Sequence, residues 1–305
     1  MTIGSHIESF LDLPIRAYEG GALVDPHRHA WRVETTYESE VDVGAEIAAL
    51  AAAPGAERVR AIVIGQWSSE SGQEPDSVVE ALIAAAPRLR NLEGIFLGDV
   101  TCEECEISWL AQMDLGPLVR AYPGLRAFTA RGGQGLRLSG LGHERLESLS
   151  LQAGGLPAEV VEDILAGRLP ALRRLELWLG SDNYGGTTSV ETLRPLLDGD
   201  VLPALEYLGL RNADDDLADA VAEAVSDAPI LERLQTLDLS MGALTDAGAA
   251  ALLDSPGVRG LRHLDLHHHY LTAAMQNRLR SLGISVDLSD AKDPDEEYRH
   301  AEVTE

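Results

Sequence analysis

The apolar positions of this chain recur in a fixed motif. The pattern L-x-x-L-x-L-x-x stands plainly in LESLSLQAGGL, LRRLELWLG, LEYLGLRNA, LQTLDLSMGAL and LRHLDLHHHYL, which begin at Leu146, Leu172, Leu205, Leu234 and Leu261. Looser copies start at Val59 (VRAIVIGQW), Leu92 (LEGIFLGDV) and Leu125 (LRAFTARGG), so successive copies lie 21 to 33 residues apart. Alternation within each copy predicts a short strand. The spacers predict helices: DSVVEALIAAA, PAEVVEDILAG, SVETLRPLLDG, LADAVAEAVSD, TDAGAAALLDS and TAAMQNRLRSL all carry apolar residues at helical spacing. The step from Leu125 to Leu146 is too short for such a helix, and its Gly-rich RGGQGLRLSGLGHERL predicts an irregular loop.

A single strand-turn-helix unit cannot bury its apolar faces alone, whereas eight stacked units share one continuous core. The pattern and its period are those of a leucine-rich repeat. The expected fold is therefore an α/β solenoid, a horseshoe with a curved parallel sheet on its concave face and helices on its convex face. Residues 1–58 are read as an N-terminal cap, with WRVETTY strand-like and VGAEIAALAAA helical up to Pro54 and Gly55. Residues 59–289 are the solenoid with its C-terminal cap, in which ISVDLS adds a short strand, and residues 290–305 read as a disordered acidic tail.

Strand alternation decides where a ligand could sit. The fourth and sixth motif positions point inward, so the third, fifth and seventh face the concave side. On the first four strands these are Ala61, Val63, Gly65, Gly94, Phe96, Gly98, Ala127, Thr129, Arg131, Ser148, Ser150 and Gln152, a small and mildly apolar set. On the last four they are Arg174, Glu176, Trp178, Tyr207, Gly209, Arg211, Thr236, Asp238, Ser240, His263, Asp265 and His267, which are aromatic and charged. Trp, Tyr and Arg dominate binding hot spots because they offer area and hydrogen bonds at modest entropic cost. Arg174, Trp178, Tyr207 and Arg211 are thus the expected anchors for a partner protein, with Glu176, Asp238, Asp265, His263 and His267 around them.

Charge narrows the partner. With 24 basic against 50 acidic residues the net charge is −26, which repels phosphate backbones and anionic membranes. Neither nucleic acid nor a membrane is an expected partner. The start, MTIGSHIESFLDLP, lacks a basic segment followed by an apolar run, and no stretch approaches the roughly 20 apolar residues of a membrane span. A cytoplasmic location is expected. Lys292 is the only lysine, and so many Arg and Ala suggest a GC-rich bacterial source.

Candidate chemistry is sparse. Cys102 and Cys105 have the spacing of half a zinc knuckle, but no second pair exists, and Glu103, Glu104 and Glu106 oppose a thiolate. His267, His268 and His269 are metal-capable, yet neighbouring strand residues face opposite ways and cannot converge on one ion. VDPHRHA, with His27 and His29, is similar to the first metal-binding stretch of amidohydrolases, enzymes that need a closed barrel and later ligands. A metal-dependent hydrolase using His27 and His29, or His263 and His267, is the rival to a non-enzymatic binding module. No phosphate loop, nucleophile elbow or His-Glu-x-x-His helix is present, and no cofactor or metal is expected.

The blocks GDVTCEECEISWL, LELWLG, LGLRNA, LDLSMGALTDAGAAALL and LDLHHHYL together resemble a bacterial family of cytoplasmic leucine-rich-repeat proteins. The LDLSMGALTDAGAAALL block also resembles the longer-repeat, ribonuclease-inhibitor-like class, horseshoe-shaped binders of other proteins. The resemblance implies an adaptor or scaffold role and carries no catalytic residue onto this sequence. Ala130 in place of a motif leucine, and the missing asparagine after most strands, depart from the pattern.

Overall fold

Each copy of the leucine motif folds as its alternation predicts. A computed structural model describes residues 3–35, 42–67 and 75–303; Thr36 and Tyr37, which end the strand-like WRVETTY, lie outside them. The chain runs β1 (Ser9–Phe10), β2 (Leu13–Ala17), β3 (Ala30–Val33), α1 (Val43–Ala52), β4 (Ala61–Ile64), α2 (Pro75–Ala85), β5 (Gly94–Leu97) and α3 (Gly116–Ala121). It continues through β6 (Ala127–Arg131), β7 (Ser148–Gln152), α4 (Ala158–Ala166), β8 (Arg174–Gly180), α5 (Val190–Leu197), β9 (Tyr207–Ala213) and α6 (Asp215–Ser226). The last elements are β10 (Thr236–Asp238), α7 (Asp246–Asp254), β11 (His263–Asp265), α8 (Ala273–Arg280) and β12 (Ser285–Asp287).

The strands form one open sheet in sequence order, parallel from β2 to β12, with β1 antiparallel at the edge. This is the leucine-rich-repeat solenoid, with the sheet on one face and the helices stacked behind it. Register aligns Leu149, Leu175, Leu208, Leu237 and Leu264 as neighbours along one inward row, and each has 0 % of its surface exposed. Such a row is a continuous dry layer, in which burying a leucine side chain is worth roughly 1.5–3 kcal/mol. The Gly-rich stretch between β6 and β7 carries no helix, as its length requires.

Two features differ from the sequence reading. The parallel ladder begins at β2 rather than at residue 59, so the N-terminal region contributes three sheet strands, two of them parallel, and a stacked helix that continue the solenoid. The segment LPIRA lacks the leucine motif, which hid it, whereas AWRV overlaps the start of the strand-like WRVETTY. The second difference is the tail. Residues 290–303 do not trail away, because His269 and Lys292 pair through the backbone and the segment then returns across the ends of the strands.

The second motif position, just outside the strand, carries a further order. Its occupants Arg60, Glu93, Arg126, Glu147, Arg173 and Glu206 follow one another in neighbouring repeats and are joined by backbone hydrogen bonds from each repeat to the one before. Their side chains pair as Arg60 with Glu93, Arg126 with Glu147, and Arg173 with Glu206. Exposed pairs of this kind each contribute about 0–1 kcal/mol, so they set register more than stability.

Candidate functional site

The concave face is divided between what the chain covers itself and what it leaves open. On the first half, Phe10 and Leu11 of the N-terminal hairpin lie against β4 and β5, forming an apolar cluster with Leu13, Ala30, Ala61, Val63 and Phe96. A side-chain carbon at Gly94 would stand 2.5 Å from Leu11 and 2.7 Å from Phe10, so the small residues of this half are what make room for the hairpin. Beneath it, Arg32 binds both the carboxylate and the carbonyl of the fully buried Asp99, and Arg131 lies 3.7 Å from the same carboxylate. Burial, opposed by Asp99 and aided by Arg32, pulls the Arg131 guanidinium down to about 10.

The second half brings the expected residues together, as the parallel register requires. Arg174 neighbours Tyr207, then Thr236, His263 and Ser285 in one row; Glu176, Gly209, Asp238, Asp265 and Asp287 form the next. The Arg174 guanidinium lies 3.4 Å from the centre of the Tyr207 ring and donates to Glu176 at 2.6 Å. Gly209 leaves space for that ring, since a side-chain carbon there would meet it at 3.1 Å. Glu176 also accepts from Ser150 and from the Trp178 indole, each at 3.1 Å, and lies 3.4 Å from Arg211. Arg211 in turn reaches Asp238 at 3.3 Å and donates to Ser240 at 2.9 Å, while Tyr207 donates to Asp238.

Glu176, Trp178 and Asp238 are therefore buried, and Arg174, whose side chain is 43 % exposed, is the most open of the anchors. Trp178 packs in a cluster with Ile107, Met241, Val303 and the nearby Ile3, so both ends of the chain close over it. His263 and Asp265 stay partly exposed, His263 near Ser285 at 3.0 Å. His267 pairs with Asp265 at 2.8 Å and lies 3.8 Å from Glu302 of the returning tail.

These contacts fix the protonation states. Burial opposes the charge of Glu176, but Arg211 and Arg174 outweigh it and hold the carboxyl below the ordinary range. Burial likewise opposes charge on Asp265, and the hydrogen bonds from the His267 ring and backbone more than offset it. The same hydrogen bond raises His267 above its ordinary 6.5. Burial pushes the Tyr207 phenol up, with Asp238 and Glu176 adding to it, so it stays a donor.

The linkage has a definite sign. A histidine whose folded value is raised stabilises fully below its unfolded value, and that contribution is lost as pH rises through the folded value. The stability advantage of the wild type over His267→Asn should therefore be greatest below about pH 6.5 and shrink at higher pH. Glu176 and Asp265 are depressed, so their contributions are present at neutral pH and disappear only on acidification. Chemical denaturation of both proteins at pH 6 and pH 9 measures the difference, and a constant gap would contradict the pairing.

Metal-capable groups are placed differently from the sequence expectation. Among the described residues, His6 with Glu34 and Glu104, Asp265 with His267 and Asp287, and His268 with Asp290 and Glu302 each bring three ligand atoms within 4.8 Å. His27, His29 and His263 belong to none of these groups; His27 takes a hydrogen bond from Arg58 and His29 stands against Trp31. The three consecutive histidines occupy three environments. His269 is fully buried, its Nδ1 accepting from the Leu271 amide and its Nε2 facing the Leu288 carbonyl, and burial lowers its pKa. The Cys105 thiol is raised by burial and by Glu106 and Glu104, as the charges around it predict.

Sequence reasoning missed Ser150, Ser240 and Asn212 as partners, and the tail as a neighbour. Ser150 and Ser240 stand on the concave columns, but Asn212 does not, and nothing local announced Val303 beside Trp178.

No helix among the described residues is long and apolar enough to cross a membrane. No known family model matches the chain, and no curated protein matches it. Among solved structures it is similar to a protein from Bacteroides fragilis, a structural-genomics target, with 31 % identity and a TM-score of 0.82 over 90 % of this chain and 77 % of that one. An internalin from Listeria monocytogenes aligns at 15 % identity with a TM-score of 0.39 over 77 % of this chain and 55 % of that one, too slight a likeness to argue from.

Proposed function

The chain belongs to the same family as the Bacteroides fragilis protein, and from that premise we propose that it is a protein-interaction module, an adaptor or scaffold without catalytic activity. The partner lies against the open second half of the concave sheet. A bacterial, cytoplasmic protein of the ribonuclease-inhibitor-like repeat class, with no nucleic acid or membrane partner and no cofactor, is part of the same reading.

The observation that carries it is the Arg174 guanidinium stacked 3.4 Å over Tyr207, with its side chain still 43 % exposed. Stacking and the bond to Glu176 hold a cation rigid at the surface, so little entropy is lost when a carboxylate of a partner meets it. The neighbouring Asp265 and Asp287 stand next to each other in register and suit a basic group of the same partner. The hydrolase alternative has less support, because His27 and His29 face Arg58 and Trp31 rather than carboxylates, and of His263 and His267 only His267 converges with carboxylates, those of Asp265 and Asp287.

Affinity purification from the source organism tests the reading, using wild type beside an Arg174→Ala/His263→Ala variant. Hot-spot truncation costs about 2 kcal/mol or more, so a partner enriched by wild type should be lost from the variant. Equal enrichment by both would contradict the proposal.

A further inference from the structure

We infer that the rim of the sheet above β8–β11 is a binding site for an extended peptide segment, and that residues 299–303 occupy it in cis. Asn212, fully buried and in the left-handed region at φ 57°, is its reading head. Its side-chain amide donates to the Val303 carbonyl at 2.6 Å and accepts from the Val303 amide at 2.9 Å, pairing with both main-chain groups of one residue as a neighbouring strand would. A buried side chain used this way recognises backbone and therefore any extended segment.

The other contacts add selectivity. The Glu302 amide donates to the Met241 carbonyl at 2.7 Å, and His300 is held at both its amide and its carbonyl by the Tyr270 hydroxyl, with His268 facing the carbonyl at 3.1 Å. Arg299 donates to Asp215 at 2.7 Å. Val303 is 4 % exposed in the apolar cluster of Ile107, Trp178 and Met241. The site thus takes a β-branched apolar residue in a pocket floored by Trp178 and, four residues earlier, an arginine against Asp215.

This deepens the proposed function and rests on it for one point alone, that a partner brings such a segment. The segment would displace the tail and reach the Trp178 and Arg211 end of the concave face. Because the tail is tethered, its effective concentration is on the order of millimolar, and a free peptide at micromolar concentration should not displace it from the wild type.

The test uses the full chain. Arg299→Glu with Val303→Asp opposes Asp215 and charges the apolar pocket, which opens the site. A fluorescent peptide of the sequence EYRHAEV, residues 297–303, is then titrated by anisotropy against wild type, this opened variant, and the opened variant carrying Asn212→Gly, a change that keeps the left-handed backbone. Binding to the opened variant at least tenfold tighter than to wild type, and lost at least tenfold with Asn212→Gly, is the expected result. No binding to the opened variant, or equal binding with Asn212→Gly, overturns the inference. A second arm separates it from the parent reading. A captured partner that binds the opened variant more tightly than wild type uses the rim. A partner that binds both equally, yet is lost with Arg174→Ala/His263→Ala, overturns the rim site and leaves the proposed function standing.

Discussion

Replacing Asp99 with asparagine should destabilise the fold by about 3–5 kcal/mol, the range for removing one member of a buried ion pair. Asp99 is fully buried, and its carboxylate is the counter-charge for Arg32 and lies 3.7 Å from Arg131. The amide keeps the shape and removes the charge, leaving two guanidinium groups beside one another under the N-terminal hairpin. The hairpin itself depends on the same carboxylate, which accepts from the Ile7 amide at 3.3 Å. Urea unfolding of wild type and variant gives the comparison, and a loss under about 1 kcal/mol for Asp99→Asn would contradict the buried network.

Gly180→Ala should be comparably severe, at more than about 4 kcal/mol or outright failure to fold, among the exceptional values that have a named structural cause. Gly180 ends β8 in the left-handed region at φ 65°, and a side-chain carbon there would lie 1.8 Å from the Gly154 carbonyl oxygen and 2.2 Å from its carbon. Both are backbone atoms of the previous repeat, which cannot rotate away. Ser181 bonds to that same carbonyl at 2.8 Å, so the two repeats are joined at this point. Alanine at Gly142, where no atom lies within 4 Å, is the matched control and should change stability little. Thermal unfolding of both variants decides, and equal midpoints would contradict the close approach.

What the sequence revealed follows from how local each feature is. The eight motif strands were legible because alternation of leucines depends only on near neighbours, and the missing helix between β6 and β7 was legible from spacing. The concave columns were legible for the same reason, including the pairing of Arg174 with Tyr207 in one row. Strand β3 was legible from the alternation of WRVETTY, but β2 was not, since LPIRA joins the sheet through pairing and not through a repeat. The covering of the face was hidden for a stronger reason. Leu11 against Gly94 and Val303 against Asn212 are contacts across long stretches of chain, and a local pattern records them only indirectly. The one trace was the run of small residues at Ala61 and Gly94, which reads as a weak binding surface until the hairpin is seen on it. The cover over Trp178 had no local trace, because Ile3, Ile107 and Val303 are distant from it in the sequence and Val303 lies in a polar, acidic segment.

Photo-crosslinking tests the central claim, that a partner protein sits on the open second half of the concave face, most directly. A crosslinking side chain placed at position 174 or 263 is compared with one at Glu162 or Glu223, exposed on α4 and α6 of the helical side. Adducts to the same partner from positions 174 and 263, and not from 162 and 223, are the predicted result. Adducts arising from the helical side, with none from 174 or 263, would contradict it.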